Sequence, residues 1–253
     1  KLDQLDGDRK GIIKTIAEKG EIHGNVMDSF PAKALTDPEI FVSLLFYYGM
    51  LTIKGTFGDQ LILGIPNNNV RKQYYGYLLA QYQEQKYVNL AELKTKFTYM
   101  AFEGKWEDAL GHMAKAYADV SSVRDGIEAE RNLQGFFMAY LSLNNYYITA
   151  PELEMSHGYC DFFLLPNLTH YDSKHSYIIE LKVLSKKEWN EKVTDPELGE
   201  VTKAEKQWND AVKQIKQYAA APRVEALRQG TTLHKIIMQF EGWELKKMKE
   251  ITE

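Results

Sequence analysis

The sequence predicts an α/β domain in the C-terminal half of the chain, preceded by a mainly helical region. Apolar residues recur at helical spacing up to about residue 120, short apolar strands alternate with helices after it, and the composition shifts over Asp119–Gly126. The chain has 253 residues, of which 44% are hydrophobic and 26% charged. This balance is typical of a folded globular protein and excludes a disordered chain.

Cysteine content, apolar runs and charge exclude further classes. The single cysteine, Cys160, excludes a disulfide framework and a cysteine-based zinc site, and it is typical of a reducing compartment, so we expect a cytoplasmic protein. No apolar run reaches the ~18 residues of a membrane-spanning helix, and we expect neither a secretory signal nor a membrane partner. The net charge of −4 argues against a globally basic nucleic-acid coat but not against a local basic groove.

The sequence pattern of residues 1–85 predicts helices followed by a hairpin. Asp37 and Pro38 supply an N-cap and a proline at the first helical position, and the helix that they open ends at Gly49. Two apolar strand patterns then flank a turn at Gly58. This order is typical of a winged helix, which binds DNA through a polar, basic helix. Here that helix is apolar and aromatic, so we favour a connector and keep DNA binding as the alternative.

The rest of the chain predicts a helical spacer over residues 86–122 and an α/β domain over residues 123–253. Apolar spacing indicates that residues 88–120 are wholly helical. A helix, three strands, a helix and a strand follow, and this order indicates a mixed sheet flanked by helices. The predicted elements are a helix from Ile127 to Leu141, strands over 146–149, 161–165 and 177–184, a helix over 204–221 and a strand over 236–240.

Charged residues on two apolar strands indicate a site. Glu180 and Lys182 project from the same face of one strand, and a desolvated charge pair costs free energy unless it has a partner or a task. Asp161 stands at the head of the preceding strand. If the strands are adjacent, Asp161 and Glu180 can converge on one divalent cation, for which Mg²⁺ or Mn²⁺ suits the oxygen ligands. Lys182 would face the same site and hold a metal-bound water.

The order Asp161…Glu180-x-Lys182 resembles the core of the PD-(D/E)XK nuclease superfamily. The αβββαβ element order is similar to its restriction-endonuclease-like mixed sheet. The resemblance implies an Mg²⁺-dependent nuclease that cleaves phosphodiester bonds, with DNA as the expected substrate. It also implies that Glu130, on the first helix, is an additional metal ligand and that Gln214 assists catalysis as part of a Q-x-x-x-Y element.

The wider chain is similar to bacterial AAA-ATPase-like proteins that carry a C-terminal PD-(D/E)XK domain. Residues 43–52 and 130–137 carry this similarity, which implies an upstream ATPase domain as partner. The chain itself has no G-x-x-x-x-G-K-[ST] segment, and Tyr159 and Cys160 replace the residues expected before Asp161.

Other interpretations of these residues stay open. Glu180 and Lys182 would also fit a cross-strand pair on a solvated sheet face, worth about 0.2–1 kcal/mol. Asp161 would also fit a turn residue that caps the hairpin. Glu130 would also fit the point at which its helical stripe reaches solvent. The alternative function is therefore a catalytically inactive nuclease-fold module that binds nucleic acid or a protein partner.

Overall fold

The computed structural model describes most of the chain, as two compact units, Lys1–Glu84 and Gln85–Glu253. The predicted division into residues 1–85, 86–122 and 123–253 stays a prediction. The described residues are 7–29, 38–67, 69–71, 73–74, 76–77, 89–121, 129–155, 158–197 and 199–252.

The first unit combines helices with a three-stranded antiparallel sheet. Its strands lie in the order β1-β3-β2, and Gly58, with φ of 64°, makes the turn of the predicted hairpin. Residues 31–37 and 78–88 lie outside the described residues, and the winged helix stays a prediction. The elements are α1 (Gly7–Lys19), β1 (Glu21–Gly24), α2 (Pro38–Tyr47), β2 (Thr52–Phe57) and β3 (Gln60–Gly64), with further helical residues between 69 and 77.

The described part of the second unit begins with three helices: α3 (Leu90–Glu103), α4 (Glu107–Ser121) and α5 (Ala129–Leu141). The prediction that residues 88–120 are wholly helical is wrong, because Gly104 ends α3. Its φ of 71° is left-handed, and its N–H bonds to the carbonyl of Tyr99. Of the helices in the described ranges, none is long and apolar enough to cross a membrane.

Gly104 is required at this helix end for two independent reasons. Left-handed backbone costs a residue with a side chain about 1–2 kcal/mol, and a Cβ at Gly104 would lie 2.9 Å from Cε1 of His175. We therefore expect Gly104→Ala to lower the free energy of unfolding by about 1–3 kcal/mol, measured by urea denaturation. Gly111→Ala is the matched control, because a Cβ there meets only Cε of Met248, at 3.9 Å. Equal stability of the two variants would contradict the argument.

The second unit is built on a five-stranded sheet with the order β10-β9-β6-β5-β4. Strands β6 and β9 run parallel and the other neighbours antiparallel, so the predicted mixed sheet is confirmed. A two-stranded hairpin, β7–β8, is inserted before α7, and β10 extends the sheet beyond the predicted strands. The elements are β4 (Tyr147–Met155), β5 (Gly158–Pro166), β6 (His175–Leu184), α6 (Lys186–Trp189), β7 (Lys192–Asp195), β8 (Gly199–Thr202), α7 (Lys203–Ala219), α8 (Pro222–Arg228), β9 (Thr232–Glu241) and β10 (Glu244–Glu250).

Helices cover the sheet from two sides. On one face, Ile178 and Ile237 pack with Trp208 and Ile215 of α7 in a single apolar core. From the neighbouring position on β6, the hydroxyl of Tyr177 reaches the carbonyl of Met100 on α3 at 2.6 Å, as the alternation of side chains along a strand requires. Each large apolar side chain buried in this way contributes about 1.5–3 kcal/mol. The two layers pack on both faces of the sheet near the point where the charged residues of β5 and β6 meet.

Candidate active site

Strand register places Asp161 and Glu180 side by side. The antiparallel ladder between β5 and β6 ends at the pair Phe162–Ile179, and the next pair in the same register is Asp161–Glu180. This pair lies just beyond the ladder, and the N–H of Asp161, directed at a carboxylate oxygen of Glu180, shows that the two residues are still neighbours. Both carboxylates therefore lie at the position where the two central strands separate.

Beyond the last ladder pair, the two acidic side chains contact backbone N–H groups of the neighbouring strand. Oδ2 of Asp161 accepts a hydrogen bond from the N–H of Leu181 at 2.7 Å. Oε2 of Glu180 lies 3.5 Å from the N–H of Asp161, which points toward it. Each carboxylate thus faces a backbone N–H of the opposite strand, and the contact of Asp161 is the shorter one.

Lys182 completes the group from the same face of β6. Its Nζ donates to Oε1 of Glu180 at 2.6 Å. The side chain of Glu180 is only 2% exposed, whereas that of Lys182 is 20% exposed. The structure therefore brings together three of the residues that the sequence singles out, with a buried carboxylate at the centre and an ammonium toward solvent. Their catalytic and metal-binding roles stay predictions.

The electrostatics of the group favour a cation. Burial, followed by the negative charge of Glu180, raises the pKa of Asp161 well above its usual range. The N–H of Leu181 and the ammonium of Lys182 act in the opposite direction, but they are outweighed. Two carboxylates held close together are destabilising unless positive charge is added, and a divalent ion would supply it.

Gln134, on α5, is a residue of the site that the sequence argument missed. Its Nε2 donates to Oδ1 of Asp161 at 2.6 Å, so it orients this carboxylate from the helical layer. The signal was present in the sequence, since Glu130 and Gln134 are four residues apart on one helical stripe. Glu130 lies in α5 one turn before Gln134, but its side chain is outside the described residues, so its role as a metal ligand stays a prediction.

Gln214 is connected to the site through Tyr218. The amide of Gln214 donates to the hydroxyl of Tyr218 one turn later on α7. Tyr218 is buried; burial raises its pKa, and the charges of Glu180 and Lys182 also act on it. The described contacts therefore place Gln214 behind Tyr218 rather than in the carboxylate group itself, and its assistance to catalysis stays a prediction.

The donor set fits a hard divalent ion. Two carboxylates supply oxygen ligands, and Mg²⁺ is usually bound by one or two protein carboxylates with water and phosphate oxygens completing the shell. Within the ranges that the structure describes, no three or more His, Cys, Asp or Glu side chains are grouped to hold a metal ion. Asp161 and Glu180 would thus hold Mg²⁺ or Mn²⁺ together with water and substrate, and the set does not suit a structural zinc site.

Three of the lysines that follow β6 are paired with acids and are not free to line a phosphate backbone. Lys203 bonds to Glu188 at 2.6 Å, and Lys213 bonds to Glu197 at 2.5 Å. Lys206 bonds to an acid of its own helix. The Lys213–Glu197 pair fastens the turn of the β7–β8 hairpin to α7, and the Lys203–Glu188 pair fastens α6 to α7. Such pairs explain why basic and acidic residues are interleaved over this stretch.

Comparison with known proteins gives one family. Residues 128–250 match the model of the PD-(D/E)XK nuclease superfamily. No curated protein and no solved structure matches the chain. The matched segment contains the whole sheet of the second unit together with Asp161, Glu180 and Lys182. The similarity to the PD-(D/E)XK nuclease superfamily therefore covers the part of the chain that carries this group of charged residues.

Proposed function

We propose that this domain is a metal-dependent nuclease that cleaves phosphodiester bonds, with Mg²⁺ or Mn²⁺ as cofactor and DNA as substrate. The observation that carries the proposal is the convergence of Asp161, Glu180 and Lys182 on one point, with the Lys182–Glu180 contact at 2.6 Å. A match to the same family would not support the proposal if these three side chains lay far from one another.

Each side chain of the group has its own role in this proposal. Asp161 and Glu180 would hold the metal, which when bound would supply Lewis acidity toward the phosphate and lower the pKa of a water. Lys182, at the solvent side of the pair, orients the attacking water and offsets the charge that develops on the phosphate. Gln134 keeps the Asp161 carboxylate in position through its 2.6 Å hydrogen bond.

A catalytically inactive module that binds nucleic acid or a protein partner is the second candidate. The observation favouring it is that the metal ligands described are only two carboxylates, one of which already accepts the Lys182 ammonium. For either candidate we propose an ATPase domain outside this sequence as partner and a cytoplasmic location.

A cleavage assay separates the two candidates. We expect the wild-type chain to cleave plasmid DNA with Mg²⁺ or Mn²⁺ and not with EDTA, and Glu180→Ala and Lys182→Ala to lose about 10²–10³-fold or more in rate. Lys213→Ala removes a lysine from an exposed ion pair and is the matched control. Parallel assays with single-stranded DNA and RNA identify the substrate. Equal background cleavage by all variants would rule out the enzyme.

A further inference from the structure

A cavity lies on the α7 side of the sheet, beyond Lys182. Its volume is about 370 Å³, and its walls include Trp189, Trp208, Asn209, Gln239 and Lys247. A cavity of this size lined by aromatic rings and a few polar groups is typical of a site for a small ring system. The proposed catalytic group does not use it.

Strand register places this cavity next to the catalytic group. Gln239, in its wall, is paired with Lys182 in the parallel ladder between β6 and β9. Paired residues of neighbouring strands project from the same face, and the strands are about 4.8 Å apart. The cavity therefore begins one strand away from the residue that would orient the attacking water.

The polar groups of the cavity can accept and donate hydrogen bonds. Nε2 of Gln239 donates to the carbonyl of Ala204 at 2.8 Å and to Oε1 of Gln207 at 3.1 Å, which leaves its own Oε1 as an acceptor. These two hydrogen bonds orient the amide of Gln239, which is only 2% exposed. Asn209 adds a side-chain amide that makes no hydrogen bond to any residue the structure describes.

The rings and the cation of the cavity suit a base and its phosphate. Nζ of Lys247 lies 3.8 Å from the centre of the Trp208 ring. Among the ion pairs of the described residues, none gives Lys247 a carboxylate partner. Trp208 is only 7% exposed and belongs to the apolar core, so the ring that a base can reach is that of Trp189, which is partly exposed. Aromatic rings stack on any nucleobase, and a lysine beside them can bind the adjoining phosphate.

We propose that this cavity binds one unpaired nucleobase of the nucleic-acid substrate next to the scissile phosphate. The inference rests on the proposed nuclease function and names its substrate class, a single strand or a strand with a displaced base. A base within a duplex is stacked and paired, so it cannot enter a cavity without leaving the helix.

Binding of two oligomers to the full chain tests this inference. One is a short oligothymidylate and the other an abasic oligomer of equal length, which keeps the phosphates and lacks the bases. With Mg²⁺ present and cleavage blocked by phosphorothioate linkages in both, we expect the oligothymidylate to bind about 10-fold more tightly. Trp189→Ala should remove this difference, and Trp189→Phe should keep most of it. Trp243→Ala is the matched control, because Trp243 stacks with Lys186 and does not line the cavity.

The outcomes distinguish this inference from the proposed function. Equal affinity for the two oligomers, or an unchanged preference in Trp189→Ala, would overturn the cavity's role even if the wild type cleaves DNA. Failure of the wild type to cleave any nucleic acid would overturn the nuclease function, while a base-dependent affinity sensitive to Trp189 would still support the cavity. Should Trp189→Ala unfold, Asn209→Ala replaces it and is expected to weaken oligothymidylate binding selectively.

Discussion

Asp161→Asn should stabilise the metal-free protein by about 1–2 kcal/mol and abolish its stabilisation by Mg²⁺ or Mn²⁺. Asparagine has the shape of aspartate, so its Oδ1 can still accept the Leu181 N–H that Asp161 binds at 2.7 Å. The amide of Gln134 can rotate to present its oxygen to the new Nδ2. The change therefore removes the negative charge opposite Glu180 and keeps the hydrogen bonds.

The pH dependence of this stability has a definite sign. Burial and the charge of Glu180 raise the pKa of Asp161 in the folded state above its unfolded value. Between the two pKa values the folded state binds more protons than the unfolded state, so the free energy of unfolding falls as pH rises through that window. The window opens near pH 4, the unfolded pKa of aspartate. Urea denaturation of the metal-free wild type should show this decline, and Asp161→Asn should lack it.

Metal binding should reverse the penalty in the wild type but have no such effect on Asp161→Asn. A ligand present at 100 times its Kd stabilises the folded state by about 2.7 kcal/mol. Asp172→Asn is the matched control, because Asp172 is an acid 84% exposed on the same domain; it should keep both the wild-type stability and the wild-type response to metal. If Asp161→Asn instead destabilised the protein and still responded to metal, Asp161 would be a structural residue and not a ligand.

The local sequence pattern predicts the site residues whose relative positions follow directly from strand geometry. Alternation along β6 places Glu180 and Lys182 on one face, and an Asp-headed strand before it allows antiparallel pairing. The apolar pattern predicts a strand only over residues 146–149, and Pro151 and two glutamates follow it in the sequence. The strand nevertheless continues to Met155. It lies at the edge of the sheet, where a proline leaves no ladder bond unmade.

Contacts between distant segments could not be predicted in this way. Lys182 and Gln239 are neighbours only because β9 returns parallel to β6 after α7, a crossover that no local pattern specifies. Gln134 reaches Asp161 across layers, from a helix to a strand. Gly104 ends α3 with a left-handed cap. A single glycine within an otherwise continuous helical repeat is a weak sequence signal for a helix end.

Lys182→Ala should lower the free energy of unfolding of the metal-free protein by about 3 kcal/mol or more. The change removes the ammonium that lies 2.6 Å from Oε1 of Glu180, a carboxylate only 2% exposed. Taking one partner from a buried ion pair costs far more than the pair contributes, because the remaining charge has lost its compensation. Lys213→Ala, which breaks an exposed pair with Glu197, should cost at most about 1 kcal/mol in the same urea titration.

A divalent metal should compensate for the missing ammonium in Lys182→Ala. If Asp161 and Glu180 hold Mg²⁺ or Mn²⁺, the ion would supply positive charge in place of the lost ammonium, so the variant should gain more stability from metal than the wild type does. Cleavage should nevertheless stay lost, because the metal cannot take over the positioning of water by an amine. This combination would separate the structural role of Lys182 from its chemical one. A variant that is destabilised equally with and without metal would show instead that the Lys182–Glu180 contact lies outside the metal site.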